Sequence, residues 1–342
     1  MNFDKQEHHA GNIFRNPEPG FEEKKFTDFL KWVIIDRLKG KRPPRPSSYN
    51  FKEVYHPDSF RRQHSDSSAI TWIGHSSFLI TLNGVHILTD PVWSDRASPS
   101  SLIGPKRSVT PGIPFSDLPK IDIVLISHDH YDHLDLKTIK RLGNSPRYFI
   151  PENLGSFFHS QGITKISEHD WWESGAYKNL RITATPAQHF SGRSLTDRNR
   201  TLWCGWVIRS DIFNLYFCGD SGYFSGFREI GRRLGPFDFS LLPIGAYLPR
   251  WFMQPVHMSP EEAIQAWIDL GSDIFIATHW GTFDLADEPL NDPPEKLYLE
   301  ISRRSLNMEL FWVMQHGETR SLDIKPDLPF RIKRSQREVV NK

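Results

Sequence analysis

Cysteine is scarce, and its scarcity excludes a disulfide scaffold: the chain has only Cys204 and Cys218, both inside apolar runs that read as core strands. A surplus of charge of one sign is missing too. Lys and Arg total 42 against 41 Asp and Glu, a formal net charge of +1, so no global field recruits nucleic acid, and no long basic insertion grips a phosphate backbone. No uninterrupted apolar run approaches the ~20 residues of a membrane span. The stretch Met1–Gly20 lacks the apolar core of a signal peptide, so the expected location is cytoplasmic. Internal repeats and low-complexity tracts are absent as well. What is present is material for a substantial core, 38% apolar and 13% aromatic among 342 residues, enough for one large or two medium domains.

The densest chemistry sits in Ser127-His-Asp-His-Tyr-Asp-His133, directly after Ile121–Ile126, an apolar and β-branched run that reads as a buried strand. In an extended segment alternate side chains share a face. His128 and His130 can therefore point at one metal, while the following turn swings Asp132 and His133 toward a second. Solvation of a loop does not call for such a concentration of ligand-type side chains.

Other strand ends repeat the theme. Ile182–Thr185 leads to His189, Ile212–Phe217 to Asp220 between Gly219 and Gly222, and Asp273–Thr278 to His279. Strand termini of layered α/β folds converge on one edge, so these residues and the motif can meet there and supply ligands for two ions. The glycines around Asp220 permit close approach. A nitrogen-rich set with carboxylates suits zinc, with iron and manganese as alternatives. Two divalent ions would supply a hydroxide near neutral pH and neutralise charge on an attacked oxygen, so the expected chemistry is hydrolytic.

The remaining chain reads as follows. Residues 1–50 form an N-terminal extension, rich in proline, around one helical pattern at Phe26–Leu38, and residues 51–342 the catalytic domain. From Lys24 to Arg45 the extension carries eight basic side chains, Lys24, Lys25, Lys31, Arg37, Lys39, Lys41, Arg42 and Arg45, against Asp28 and Asp36. Such a helix can lie on an anionic membrane surface, pack on the domain with its lysines in water, or mediate a homodimer. Strands are expected at Ala69–Ile73, Ser77–Leu82, Val85–Thr89, Arg147–Ile150, Trp203–Ile208, Phe239–Ile244 and Glu309–Met314, with a hairpin turn at Asn83-Gly84. Helices are expected at Leu136–Leu142, Asn153–His159 and Pro294–Leu306, and one opens with a capping box at Ser259-Pro-Glu-Glu262.

The H-x-H-x-D-H pattern resembles the signature of the metallo-β-lactamase superfamily. Stretches including Phe14-Arg-Asn-Pro17, Trp72-Ile-Gly-His75, Leu88-Thr-Asp-Pro91, Thr201-Leu-Trp-Cys-Gly-Trp206, Pro243-Ile-Gly-Ala-Tyr247 and Pro249-Arg-Trp-Phe-Met253 are similar to the N-acylphosphatidylethanolamine-hydrolysing phospholipase D group within it. The resemblance implies an α/β fold, a four-layer αβ/βα sandwich of two mixed β-sheets flanked by helices. It implies that His128, His130 and His189 hold one metal, that Asp132, His133 and His279 hold the other, and that Asp220 bridges them. Asp90 would orient a ligand from beneath, although an Asp before Pro91 also serves as a turn cap. His75 would lie near the site, and His257 would approach the substrate. The loop residues Tyr247, Trp251, Phe252 and Met253 would offer acyl chains an apolar wall, with core packing as the other reading. The activity implied is hydrolysis of a phospholipid diester, with a carboxylic ester or lactone hydrolase as the first alternative, then a nuclease or a non-catalytic membrane-associated protein.

Overall fold

Most strands of this chain are apolar on both faces, which demands cover from two sides. Ala69–Gly74 and Ser77–Leu82 are buried at every position, a pattern that belongs to sheets sandwiched between other layers. The computed structural model describes residues 8–18, 26–36, 38–41, 43, 46, 48–194 and 196–323. Lys24, Lys25, Arg37, Arg42, Arg45 and the tail from Lys325 lie outside the described residues.

Two seven-stranded sheets face each other. The first runs, edge to edge, Thr319–Ser321, Ala69–Gly74, Ser77–Leu82, Val85–Thr89, Ile123–Leu125, Arg147–Pro151 and Ile166–His169. Its first four strands pair antiparallel and the others parallel. The second runs Phe311–Trp312, Ser272–Thr278, Phe237–Pro243, Asn214–Phe217, Gly205–Arg209, Leu180–Thr185 and Ser174–Tyr177, parallel from Phe311–Trp312 to Asn214–Phe217 and antiparallel beyond. The Asn83-Gly84 turn has positive φ at both residues, 49° and 73°, as a two-residue hairpin of matching twist requires.

Between the sheets Trp72, Phe78, Ile80, Leu125 and Phe149 meet Ile182, Trp206, Phe217, Leu241 and Ile276. The outer face of the second sheet packs on the helices Gly226–Leu234, Pro260–Leu270 and Asp292–Arg303 through Phe227, Ile230, Ile264, Trp267, Leu297 and Ile301. The outer face of the first is covered by Phe60, Ile139 and Phe158 from Pro57–Asp66, Leu136–Leu142 and Gly155–Ser160. Helix, sheet, sheet, helix is the expected four-layer order. The helix Pro260–Leu270 has the full capping box, Ser259 Oγ accepting from the Glu262 N–H and the Glu262 carboxylate from the Ser259 N–H, and stops at Gly271 with φ 63°.

Local expectations fail where two influences compete. The expected helix Phe26–Leu38 is α only over Phe26–Leu30 and then π over Lys31–Asp36. Glu309–Met314 shortens to a strand at Phe311–Trp312, because the Asn307 side chain accepts from the Glu309 N–H and winds Met308–Leu310 into a 3-10 turn. Phe14 enters the inter-sheet core, and Trp32 stacks on Phe252 at 5.0 Å, so described parts of the N-terminal 50 residues lie against the sandwich. Among the described residues no helix is long and apolar enough to cross a membrane.

Candidate metal centre

Chain direction brings the candidate ligands together. Two antiparallel steps restore direction between Leu180–Thr185 and Asn214–Phe217, and Ser272–Thr278 runs the same way. His189, Asp220 and His279 therefore leave the second sheet at one edge. The motif leaves the first sheet at the end of Ile123–Leu125 and meets them there.

Asp220 Oδ2 is the hub. It lies 3.0 Å from His279 Nε2, 3.1 Å from His133 Nε2, 3.8 Å from His189 Nε2, 3.9 Å from His257 Nδ1 and 4.0 Å from His128 Nε2. Asp132 Oδ2 lies 3.0 Å from His75 Nε2 and 3.5 Å from both His133 and His279 Nε2. His130 Nδ1 approaches His128 Nε2 at 2.9 Å and His189 Nε2 at 3.3 Å. The donors fall into two groups, His128 with His130 and His189, and Asp132 with His133, His279 and His75, with Asp220 against both.

Whether these groups fit metal ions can be asked of their hydrogen bonds. Buried polar atoms normally find partners, yet His133 Nε2, His279 Nε2, Asp220 Oδ1 and His257 Nδ1 are buried without one. They are orphaned at one place and aimed at one another. Divalent cations of the zinc type would satisfy the first three, and His257 Nδ1 is left facing the same centre.

The opposite ring nitrogens are committed, which sets the tautomers. Ser127 Oγ donates to Asp90 Oδ2 at 2.6 Å, so its contact with His128 Nδ1 at 2.9 Å needs the proton on the imidazole. His133 Nδ1 donates to Asp90 Oδ2 at 2.7 Å, and His189 Nδ1 donates to the Val256 carbonyl at 2.9 Å. All three rings then present a lone pair at Nε2 toward the cluster. Asp90 thus sits where orientation of His133 requires it. Burial pushes its carboxyl up, while His133 and the two donors of Ser127 pull it back.

Charge follows the same logic. Burial works against charging His279, but the Asp220 and Asp132 carboxylates prevail and push it up to about 9. Burial, helped by His279, drives His75 down to about 3, and burial takes His257 to about 3 against the pull of Asp220. Two carboxylates thus recruit protons onto His279 and His133, protons that bound cations would displace.

The backbone is strained around this centre. His75, Asp90 and His279 hold φ of 56°, 33° and 60°, conformations that cost about 1–3 kcal/mol each and persist only because their surroundings impose them. The His279 N–H donates to the His75 carbonyl at 3.1 Å, linking two of these residues. Gly219, φ 62°, is required on two counts: a Cβ there would stand 2.4 Å from the Ser127 Cβ.

The aromatic loop is placed more unevenly than the sequence suggests. His257 reaches the centre, its ring 5.1 Å from His189 and 5.3 Å from His279. Tyr247 is buried, its hydroxyl donating to Asp292, and Met253 is buried among Trp32, Ala246 and Ala286. Trp251 alone of the four is exposed, and Phe252, partly buried, faces Trp32. Sequence reasoning passed over the groups that hold the loop. Glu288 accepts from the Tyr247 and Leu248 N–H groups, and Arg250 donates to the His257 carbonyl and pairs with Glu262 at 2.7 Å. It also passed over Asn16, whose Oδ1 accepts from the His189 N–H at 2.9 Å. None of these three carries a spacing signal.

A four-layer sandwich with a His- and Asp-lined centre on one sheet edge is the metallo-β-lactamase fold, which carries metal-dependent hydrolases. The family description "Beta-lactamase superfamily domain" matches residues 86–280, and the chain belongs to this metal-dependent hydrolase family. It is 36% identical over 332 residues to N-acyl-phosphatidylethanolamine-hydrolyzing phospholipase D 1 of Caenorhabditis elegans, covering 90% of this chain and 92% of the worm enzyme. An uncharacterised protein of Mycobacterium tuberculosis is 42% identical over 275 residues, 78% of this chain and 72% of that one. Among solved structures, a metallo hydrolase from the archaeon Ignicoccus hospitalis aligns with a TM-score of 0.56 at 23% identity, over 76% of this chain and all of that one, which speaks to the fold.

Proposed function

We propose that the chain is a phosphodiesterase of phospholipase D type, acting on N-acylphosphatidylethanolamine-like lipids with two divalent ions, most simply zinc. The observation that carries this reading is that similarity to the worm phospholipase D extends over 90% of the chain, aromatic loop included, while His and Asp side chains converge on two adjoining pockets. His128, His130 and His189 would hold one ion and Asp132, His133 and His279 the other, with Asp220 shared. Such ions supply Lewis acidity toward a phosphoryl oxygen and bring the pKa of water down to roughly 7.

The chain's own groups do the rest. His75 bonds the Asp132 carboxylate and holds it in place. His257 is uncharged at neutral pH in the free protein; an anionic diester oxygen beside it favours the protonated ring, which can then deliver its proton to the departing alcohol. With Tyr247 and Met253 committed to packing, Trp251 and Phe252 remain to receive an acyl chain.

Contact with a lipid surface fits the N-terminal helical segment. Trp32 faces the body, while Phe29, Leu30, Ile34, Ile35 and Leu38 are exposed beside Lys31, Lys39 and Lys41. Lys31 Nζ lies 4.6 Å over the Trp251 ring, which joins this face to the aromatic loop. The site is tested by hydrolysis of a phospholipid diester, bis(p-nitrophenyl) phosphate, an acyl lactone and RNA, each with and without chelator. Chelator-sensitive cleavage of the lipid diester is expected, and turnover of lactones alone defeats the reading. Binding to anionic vesicles should weaken when Lys24, Lys25 and Lys31 are changed to Glu, and unchanged binding would assign the segment to packing.

A further inference from the structure

We propose that His8, His9, Glu152 and Asp170 form a separate divalent-cation site, of the kind that accepts zinc, which clamps the N-terminal hairpin to the rim of the first sheet. The hairpin is minimal, His9–Ala10 paired with Ile13–Phe14, and two strands of this length do not hold themselves in water. Its anchor lies at the carboxyl ends of two neighbouring parallel strands, Arg147–Pro151 followed by Glu152 and Ile166–His169 followed by Asp170, registered Pro151 to His169.

The donor spacing is that of a cation site. His9 Nε2 stands 3.2 Å from Asp170 Oδ2 and 3.6 Å from Glu152 Oε2. Tetrahedral zinc with bonds of ~2.0–2.1 Å sets its ligand atoms about 3.3 Å apart. His8 Nε2, 2.7 Å from Asp170 Oδ1, adds a second imidazole, and the ligand atoms of His8, His9 and Asp170 all lie within 4.8 Å of one another. Hydrogen bonds of His8 Nε2 to Asp170 Oδ1 and of His9 Nε2 to Asp170 Oδ2 account for three of the four residues. They leave unexplained why a second carboxylate, Glu152, faces the same point, where burial and then the charge of Asp170 push its carboxyl up. A cation relieves that crowding.

The surroundings suit one. His8 is buried, stacked on Trp171 at 4.1 Å and on Phe14 at 6.0 Å, while the His9 and Glu152 side chains, 39% and 32% exposed, leave a path from solvent. No residue is shared with the centre around Asp220. The two are nonetheless connected, since the segment that the clamp would fix carries Asn16, which receives the His189 N–H, and Phe14, whose N–H donates to the Asn199 carbonyl.

The test counts metal in the full chain after equilibration with zinc and removal of free ion, for the unaltered protein, His9→Gln and Asp170→Asn. Each variant should carry about one ion fewer per chain. His9→Gln, at a partly exposed ring, guards against loss by misfolding, which circular dichroism would reveal. In a His130→Ala/Asp132→Ala/Asp220→Ala background, which disables both groups of the centre around Asp220, cobalt(II) should still bind at about one per chain, and adding His9→Gln should abolish it. Equal metal content in the unaltered protein and both variants would overturn the proposal and leave the four residues as a hydrogen-bonded strap.

Discussion

Asp90→Asn separates an orienting carboxylate from a turn cap. The native side chain accepts three hydrogen bonds in a fully buried position: Ser127 N–H at 2.7 Å, Ser127 Oγ–H at 2.6 Å and His133 Nδ1–H at 2.7 Å. Asparagine keeps the shape but has one acceptor oxygen, so its amide NH2 must face a donor. If it takes the place of Oδ2 it faces both His133 and Ser127 Oγ; the ring then keeps the contact only by moving its proton to Nε2, the atom that points at Asp220 and Asp132, and the Ser127 hydroxyl turns away. If it takes the place of Oδ1 it faces the Ser127 N–H, which is left buried without its acceptor, while His133 meets a neutral amide oxygen in place of a carboxylate. The first outcome removes a lone pair from the cluster and the second weakens the bond that orients His133. Loss of such an outer partner costs about 10- to 100-fold in metal affinity, or ~1.4–2.7 kcal/mol, beside a stability loss of roughly 1.5–3 kcal/mol for each charge-assisted bond weakened. Chelator competition followed by metal analysis reads the first quantity and urea unfolding in excess chelator the second. If Asp90→Asn loses stability yet holds its metals as tightly as the unaltered protein, the orienting role is wrong and Asp90 is a cap for the Pro91 turn.

Two further substitutions probe the frame around the centre. Gly219→Ala should cost about 1–2 kcal/mol for the left-handed conformation alone, and more for the contact with Ser127; because Ser127 holds both Asp90 and His128, metal affinity should fall with it, and tight metal binding in this variant would contradict the account. His64 is buried between Thr81 Oγ1 at 2.6 Å and Thr71 Oγ1 at 2.7 Å, and burial takes it down to about 3. Above its unfolded value of about 6.5 neither state is protonated; below it only the unfolded chain takes the proton, so stability falls as pH drops toward 3. Between pH 6.5 and 5 this amounts to roughly 2 kcal/mol. In urea unfolding His64→Gln should lose that share of the acid sensitivity, and a pH profile parallel to the unaltered protein would refute the assignment.

The parts of this protein that were legible in its sequence share one property: their signal is local. A buried strand announces itself by an apolar run, and a ligand placed just after it inherits its direction from that strand, which is why His128, His189, Asp220 and His279 could be gathered from distant segments before any fold was known. A capping box and an Asn-Gly turn are equally self-contained. Interactions that depend on how two segments lie side by side have no such signature. His75 bonds Asp132 only because the turn after Ala69–Gly74 faces the motif, and nothing in Trp72-Ile-Gly-His75 indicates that orientation. Tyr247 looks like an apolar contact for substrate until Glu288 and Asp292 take hold of its backbone and hydroxyl. Thr319–Ser321 is half-buried at all three positions and shows no alternation, so its place as the edge strand beside Ala69–Gly74 follows from pairing alone. The same distinction orders the chemistry. Ligand identity is written residue by residue, whereas ring tautomers and loop placement, which decide where lone pairs point, are written in contacts such as His133 with Asp90 and His189 with Val256. Substitutions in that second set should therefore alter metal affinity while leaving every candidate ligand in the chain.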